Sequence, residues 1–173
     1  MTPKALSLIE LVVVVVIFGL LAAVAIPRFS AGATHDPGRE LRARLALLRT
    51  AIALYYQDHG TYPGRLSAGA PDADSATGAA FVRQLTQYTD RHGHASPTPS
   101  PVFCYGPYLE HGIPACPVSG GEHRSDVHVI TGSAAPGYCA QAPAAGWVYN
   151  CDTGYIAANS AETDMRGVRY DTY

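Results

Sequence analysis

A continuous apolar run near the start of the chain constrains its fold more than any other feature. The run extends from Leu11 to Ile26 and begins directly after an acidic residue, Glu10. The span Leu6–Ile26 has 21 residues. As a helix it would cover about 31 Å, close to the roughly 30 Å hydrocarbon core of a bilayer. We therefore predict a membrane-spanning helix with a carboxylate at its edge, and a charge in that position needs a functional reason because it is costly.

Three interpretations compete for this segment. An ordinary secretory signal would use Lys4 as its charged region and residues 23–25, Ala-Val-Ala, as a cleavage site. A plain membrane anchor would stay uncleaved. The third interpretation rests on the residues that precede the run, Lys4-Ala5-Leu6-Ser7-Leu8-Ile9-Glu10. We favour the third, because an ordinary secretory signal has no place for Glu10.

This stretch resembles the class III signal of type IV pilins and type II secretion pseudopilins. Ala5 stands where the family usually has Gly, and Leu6 where it usually has Phe. The resemblance implies a leader of residues 1–5, cleavage by a prepilin peptidase between Ala5 and Leu6, and N-methylation of Leu6. It also implies that ionised Glu10 pairs with the amine of a neighbouring subunit's Leu6 as the chain self-associates into a helical filament.

Three stretches further along the chain are similar to the major pseudopilins of the type II secretion G class. They are Tyr62-Pro63, Gly106–Leu109, and Gly146–Asn150 followed by Thr153-Gly154. The resemblance implies a structural subunit, not an enzyme, in a periplasmic filament that helps to export folded proteins. Its expected partners are other copies of the chain, the prepilin peptidase, membrane lipid and an inner-membrane assembly platform. A surface pilus for adhesion or motility stays open as an alternative.

The expected location is the inner membrane, crossed once, with the head in the periplasm, or the cell surface if the filament is a pilus. Two alternatives come from other classes of protein. One is a membrane-anchored binding domain that never polymerises, and the other is a secreted enzyme released after Ala25. With a net charge of −2, the chain has no basic patch that would favour nucleic acid as a partner.

A second helix is predicted from Arg39 to His59. Its apolar residues recur at helical spacing and are Leu41, Leu45, Leu48, Ile52 and Tyr55 or Tyr56. Gly60 is expected to end it. Before it, Gly32, Pro37 and Gly38 predict a kink or a break, unless Pro37 opens the helix with Asp36 as N-cap.

The predicted fold class is α+β and pilin-like, with a long N-terminal helix packed on a small C-terminal antiparallel sheet. After the leader, residues 6–29 form the transmembrane or filament-core helix, 30–60 the linker and amphipathic half, and 61–173 the head. Within the head we predict a short helix in 77–89, a loop in 92–101 and a strand in 127–131. A hairpin of 146–150 with 155–159 and an edge strand in 168–173 complete it.

Four cysteines lie in the head: Cys104, Cys116, Cys139 and Cys151. Their even number and the absence of a two-residue spacing favour two disulfides in an oxidising compartment. Spacing leaves three pairings open, and we lean to Cys104–Cys116 with Cys139–Cys151.

No metal site is assigned from the sequence. His92 with His94 and His123 with His128 are more simply read as solvated side chains. The resembled pseudopilins bind Ca²⁺ in a loop near the C-terminal sheet, so Ca²⁺ is the one cofactor to consider. The available oxygen ligands are Asp126, Asp152, Asp164 and Asp171. Surface solubility is the favoured role of these carboxylates.

Overall fold

The computed structural model describes residues 9, 11–17, 36–66, 76–119 and 124–173. The chain divides into two compact units, Met1–Asp36 and Pro37–Tyr173. In the first unit, residue 9 and residues 11–17 are helical. Within the described ranges, no helix is both long enough and apolar enough to cross a membrane. Most of the predicted span Leu6–Ile26 lies outside these ranges.

The first helix of the second unit, α1, extends from Pro37 to His59. It begins at the proline whose fixed φ suits a first helical turn. Its buried stripe contains the predicted positions Leu41, Leu45, Leu48 and Ile52, with Tyr55 rather than Tyr56 facing inward, and Ala51 is buried beside them. Gly60, with a φ of +68°, ends the helix as predicted, and its N–H donates to the carbonyl of Tyr56. The kink or break was predicted for residues 31–38; of these, Pro37 and Gly38 lie in α1, in line with the alternative that Pro37 opens the helix, and residues 31–35 lie outside the described ranges.

A short helix, α2 (Gly78–Thr86), follows in the predicted region. The hydroxyl of Thr77 caps it by accepting the N–H of Ala80 at 3.1 Å. The next residues form a two-stranded antiparallel sheet of β1 (Tyr88–Thr89) and β2 (Ala95–Ser96). The region 92–101, predicted as an open loop, therefore contains the short strand β2.

The second sheet has three strands in the order β3-β4-β5, namely β3 (Val127–Ile130), β4 (Trp147–Asn150) and β5 (Ile156–Ala158). Strands β4 and β5 form the predicted antiparallel hairpin. However, β3 pairs with β4 in parallel, with Val127 opposite Trp147. The prediction of a purely antiparallel sheet is wrong, because the long connection 131–146 returns the chain to the starting end of β3 before β4 begins.

The core lies between α1, α2 and this sheet. Trp147 and Tyr149 of β4 are fully buried with Phe81 of α2 and the leucines of α1. Both polar tips are hydrogen-bonded. Nε1 of Trp147 donates to the carbonyl of Pro114 at 2.8 Å, and the hydroxyl of Tyr149 donates to the carbonyl of Pro63 at 3.0 Å. Trp147 and Tyr149 therefore serve in core packing.

The edge strand predicted for residues 168–173 is replaced by a 3₁₀ turn, Tyr170–Thr172. The carboxylate of Asp164 accepts the N–H groups of Arg166 and Val168, which closes a turn just before this segment. Tyr170 then buries its side chain in the core. Because local hydrogen bonds and core packing hold these residues, they do not extend along the sheet.

Candidate functional site

The residues predicted to direct processing and assembly, Ala5, Leu6 and Glu10, lie outside the described ranges, and their roles stay predictions. The residues around Glu10 are described. Ile9 is 72% exposed, and the side chains of Leu11–Ile17 are between 43% and 63% exposed. The helical residues 11–17 therefore present apolar side chains to their surroundings on every side.

A second exposed apolar surface runs along α1, opposite its buried stripe. We call it the outer stripe, and it consists of Ala43, Leu47, Thr50 and Leu54. Leu47 is 51% exposed and Leu54 is 45% exposed, and they lie seven residues apart on the same side of the helix. Exposed apolar side chains that share one face of a helix are candidates for an interaction site.

Three arginines of α1 lie beside the buried stripe and bind the rest of the head. Arg49 donates to the main-chain oxygens of Tyr173 at 2.6 Å and Ile156 at 3.3 Å. The guanidinium of Arg42 lies 4.5 Å from the centre of the Tyr173 ring, within the range of a cation–π contact. Arg44 contacts Glu40 and the carbonyl of Ala115. These contacts hold α1 in place and leave the outer stripe facing outward.

Two buried asparagines, which the sequence reasoning did not single out, organise the connection between β3 and β4. The side-chain amide of Asn150 donates to the carbonyls of Gly132 and Ala134, at 2.8 and 2.7 Å. That of Asn159 donates to two further carbonyls of the connection, and its oxygen accepts the N–H of Cys139 at 2.8 Å. Their positions could have pointed to them in the sequence. Asn150 is the last residue of the buried strand β4, and Asn159 directly follows the buried strand β5. Buried amides of this kind need partners, and here the loop supplies them.

All four cysteines are free thiols in this structure, with Cys116 and Cys151 buried and Cys104 exposed. Burial raises the pKa of the Cys116 thiol. Cys139 bonds to Asn159, whose N–H donates to the carbonyl of Gly146 at the start of β4. Cys151 directly follows the end of β4. The disulfide pairing stays a prediction.

Three of the four carboxylates considered for Ca²⁺, those of Asp152, Asp164 and Asp171, are engaged by different partners within the head. Asp152 pairs with Arg65 at 2.8 Å. Asp164 accepts from the hydroxyl of Tyr173 at 2.7 Å. Asp171 bonds to Arg169, and the pKa of its carboxyl is held below the usual value because this bond and the Tyr138 N–H outweigh the effect of burial. Within the described parts of the chain, no three His, Cys, Asp or Glu residues converge as a metal site.

The two histidines of the loop after β1 frame a buried carboxylate. Asp90 is 9% exposed and accepts the N–H groups of His92 and His94 and the Nδ1 of His94, each at 2.9 Å. Burial alone would raise the pKa of Asp90, but these hydrogen bonds hold it below its usual value. His128 lies on β3, and His123 lies outside the described ranges. The hydrogen bonds of Asp90 with His92 and His94 hold the turn between β1 and β2 in place.

Comparison with known proteins finds similarity to pilins. The chain is 31% identical over 83 residues to a type IV major pilin protein, PilE1, of Neisseria gonorrhoeae. It is 34% identical over 82 residues to a fimbrial protein of Neisseria meningitidis serogroup B. These alignments cover 48% and 47% of this chain, and 39% and 48% of the two relatives. The matched part of the chain thus spans less than half the length of either relative.

The other two comparisons add no further relative. The chain matches no protein-family model. No solved structure matches it significantly. The similarity to pilins and the α+β architecture are compatible with one another, and they define the class of protein that this chain resembles: a type IV pilin-like structural subunit.

Proposed function

We propose that this chain is a prepilin-type structural subunit that polymerises through its N-terminal helix into a filament. The observation that carries the proposal is the exposure of Leu11–Ile17 on a helix directly after Glu10. Seven consecutive apolar side chains in contact with water are unfavourable. Lipid before assembly and the helices of other subunits afterwards would cover them.

Glu10 has a specific role in this proposal. After cleavage between Ala5 and Leu6, the new amine of Leu6 in one subunit would pair with the carboxylate of Glu10 in its neighbour. Each charge alone is costly in an apolar filament core, and pairing them relieves that cost. The pair would therefore set the axial position of each incoming subunit.

The finer assignment that we propose is a major pseudopilin of a type II secretion system. The head would lie in the periplasm and the helix in the inner membrane, where the prepilin peptidase and the assembly platform would act on it. This assignment rests on the resemblance of Gly146–Asn150 and of Tyr62-Pro63 to the G-type pseudopilins. These residues form β4 and its contact with Pro63, at the centre of the head.

A type IV pilus subunit is the second candidate. It is supported by both relatives, which are named as a major pilin and a fimbrial protein. A pilus would place the same head on the cell surface, for adhesion or motility.

Processing and assembly can be tested on the full chain in a host with an assembly system. Mass spectrometry of the mature protein should find N-methylated Leu6 as its first residue. Electron microscopy should show filaments from the unaltered chain and from Glu110→Val, in which an exposed carboxylate of the head is removed, but few from Glu10→Val. A mature protein that begins at Ile26, or normal filaments from Glu10→Val, would contradict the proposal.

The location of the filament separates the two candidates. In the strain from which the chain derives, a secretion pseudopilin should be required for release of exported proteins, and its filament should not be removed by shearing cells. A pilus subunit should be recovered in the sheared fraction, and its loss should leave protein export unchanged.

A further inference from the structure

The loop that follows β2 carries three hydroxyl side chains, each directly before a proline. The three pairs are Ser96-Pro97, Thr98-Pro99 and Ser100-Pro101, and apart from Thr2 no other Ser or Thr of the chain precedes a proline. Residues 97–102 are all exposed. A proline favours an extended backbone at the residue before it, which keeps the segment open. Exposed segments in which Ser or Thr alternates with Pro are typical acceptors of O-linked sugars.

Hydrogen bonding sets one of these hydroxyls apart from the other two. The hydroxyl of Ser96 donates to the carbonyl of Thr98 at 2.9 Å. The hydroxyl of Ser100 accepts the N–H groups of Val102 and Phe103, at 3.3 and 3.1 Å. Among the described residues, none forms a hydrogen bond with the hydroxyl of Thr98. Of these three described side chains, Thr98 alone therefore offers a hydroxyl that can react without first losing a hydrogen bond of the head.

The main chain of Thr98, in contrast, is held in place. Its N–H donates to the Ser96 hydroxyl at 3.2 Å, and its carbonyl accepts from the same hydroxyl. Pro97 and Pro99 fix φ on either side. The N–H of Ser100 donates to the carbonyl of Phe103 at 3.1 Å, which closes the far end of the loop. The loop thus presents an exposed hydroxyl on an ordered backbone, and an enzyme that binds it has little ordering to impose.

We propose that Thr98 is a modification site, glycosylated on its Oγ1 by a glycosyltransferase that acts on the exported head. The donor is a sugar activated as a phosphate ester, carried on a nucleotide or on a membrane lipid. The bond from Oγ1 to the anomeric carbon forms, and the bond from that carbon to the phosphate oxygen breaks. The hydroxyl proton passes to a base of the transferase, and the phosphate group leaves with the bonding electron pair.

A sugar suits this loop better than a phosphate, the other group that Ser and Thr accept. The choice rests on the proposed function, which places the head in the periplasm, across the membrane from cytoplasmic ATP. A phosphate also adds charge, which arginines beside it would have to pair. Residues 95–102 contain no Arg or Lys, and the preceding arginine, Arg91, bonds to His92. A neutral sugar needs no such partner and would extend from Thr98 into water.

Mass spectrometry of the full-length chain, purified from the strain from which it derives, tests the modification. The intact mass should exceed that of the processed chain by one or more sugar residues, and electron-transfer fragmentation should place them on Thr98. Thr98→Val should abolish the excess mass, whereas Thr98→Ser, which keeps the hydroxyl, should retain it. The matched control is Thr131→Val, which alters an exposed threonine that precedes Gly132 and should leave the modification unchanged.

Three results would each overturn this inference: an unmodified chain, a sugar attached to Ser96, Ser100 or another residue, and a phosphate in place of the sugar. The same spectra report the N-terminus independently. A chain that begins with N-methylated Leu6 but carries no sugar leaves the proposed function intact. A chain that begins at Ile26 contradicts the proposed function whether or not Thr98 is modified.

Discussion

The guanidinium of Arg49 donates a hydrogen bond to the main-chain oxygen of Tyr173 at 2.6 Å, linking the middle of α1 to a residue 124 positions further along the chain. The Tyr173 hydroxyl donates to Asp164, and its ring lies under Arg42. A tyrosine held at its main chain, its ring and its hydroxyl fixes the turn that follows β5. These contacts hold Tyr173 against α1, on the side of the helix where Arg42 and Arg49 lie.

Removing Arg49 should therefore destabilise the head. Residues 37–173 form one compact unit, and we expect this fragment to fold on its own. In urea unfolding, Arg49→Ala should lower its free energy of unfolding by about 1–2 kcal/mol, since two carbonyls lose a charged donor. Arg39→Ala, which removes an exposed arginine from the first turn of α1, should change it by less than about 0.5 kcal/mol. Equal effects of the two substitutions would contradict the proposed role of Arg49 in holding Tyr173 and Ile156 against α1.

Gly154 should be less tolerant of a side chain than other glycines with positive φ. Its φ is +74°, and a Cβ atom would come within 2.3 Å of the Tyr62 ring. Gly112 has a φ of +79° with nothing within 4 Å of a Cβ. Gly112→Ala should thus lower the free energy of unfolding only by the backbone strain, about 1 kcal/mol. Gly154→Ala should lower it by about 1–3 kcal/mol more.

A double-mutant cycle separates strain from collision at Gly154. In a Tyr62→Ala background, the cost of Gly154→Ala in chemical denaturation should fall to that of Gly112→Ala. If the cost of Gly154→Ala is unchanged when the Tyr62 ring is absent, contact with this ring is not what requires glycine.

The sequence predicted the helices of the head and one hairpin because their determinants are local. The 3.6-residue period of Leu41, Leu45 and Leu48 identifies the buried face of α1, and Gly60 marks its end. The parallel pairing of β3 was missed because it depends on a long-range feature. Asn150 bonds to carbonyls in the connection that follows β3, and nothing in the local sequence of β3 specifies its direction.

The candidate site was predictable only in part, for a similar reason. Glu10 before an apolar run is a motif that can be recognised from adjacent residues. The outer stripe was not predicted, because isolated surface leucines such as Leu47 and Leu54 are normal in folded proteins. They become informative only when the structure shows that Arg42, Arg44 and Arg49 hold the opposite side of α1 against the head.

Asp90 should make the head sensitive to acid. Its pKa is held below the ordinary value of 3.8 by hydrogen bonds from His94 and the main chain. Because the folded-state pKa is depressed, Asp90 contributes stability above the unfolded-state pKa and loses that contribution as pH falls through the folded-state pKa. The stability difference between wild type and Asp90→Asn should therefore be full near pH 6 and shrink below about pH 4.

Denaturant midpoints measured from pH 3 to pH 7 test this linkage. Glu110→Gln, which neutralises an exposed carboxylate, should give a curve parallel to wild type. An Asp90→Asn curve that is also parallel to wild type over this range would show that the turn does not depend on the charge of Asp90.

The cysteines give the last prediction, which concerns the compartment of the head. Cys104, Cys116, Cys139 and Cys151 are free in this structure, yet their number and context favour two disulfides after export. A loop of roughly 13 residues closed by a disulfide would contribute about 3 kcal/mol if the native geometry is unstrained. The head fragment, residues 37–173, expressed in the periplasm should therefore have a much lower melting temperature after its disulfides are reduced than before.

Thiol titration and paired substitutions distinguish the outcomes. Denatured, unreduced protein should contain no free thiol. If Cys104 pairs with Cys116, the Cys104→Ser/Cys116→Ser variant should be about as stable as Cys116→Ser alone, because that single substitution already removes the bond and Cys104 is exposed. In reduced, folded protein, exposed Cys104 should react with a thiol reagent first and Cys116 last, since burial shields the latter and raises the pKa of its thiol. Four titratable thiols in periplasmic protein would refute the disulfides and leave the residues around Glu10 as the sequence evidence for export.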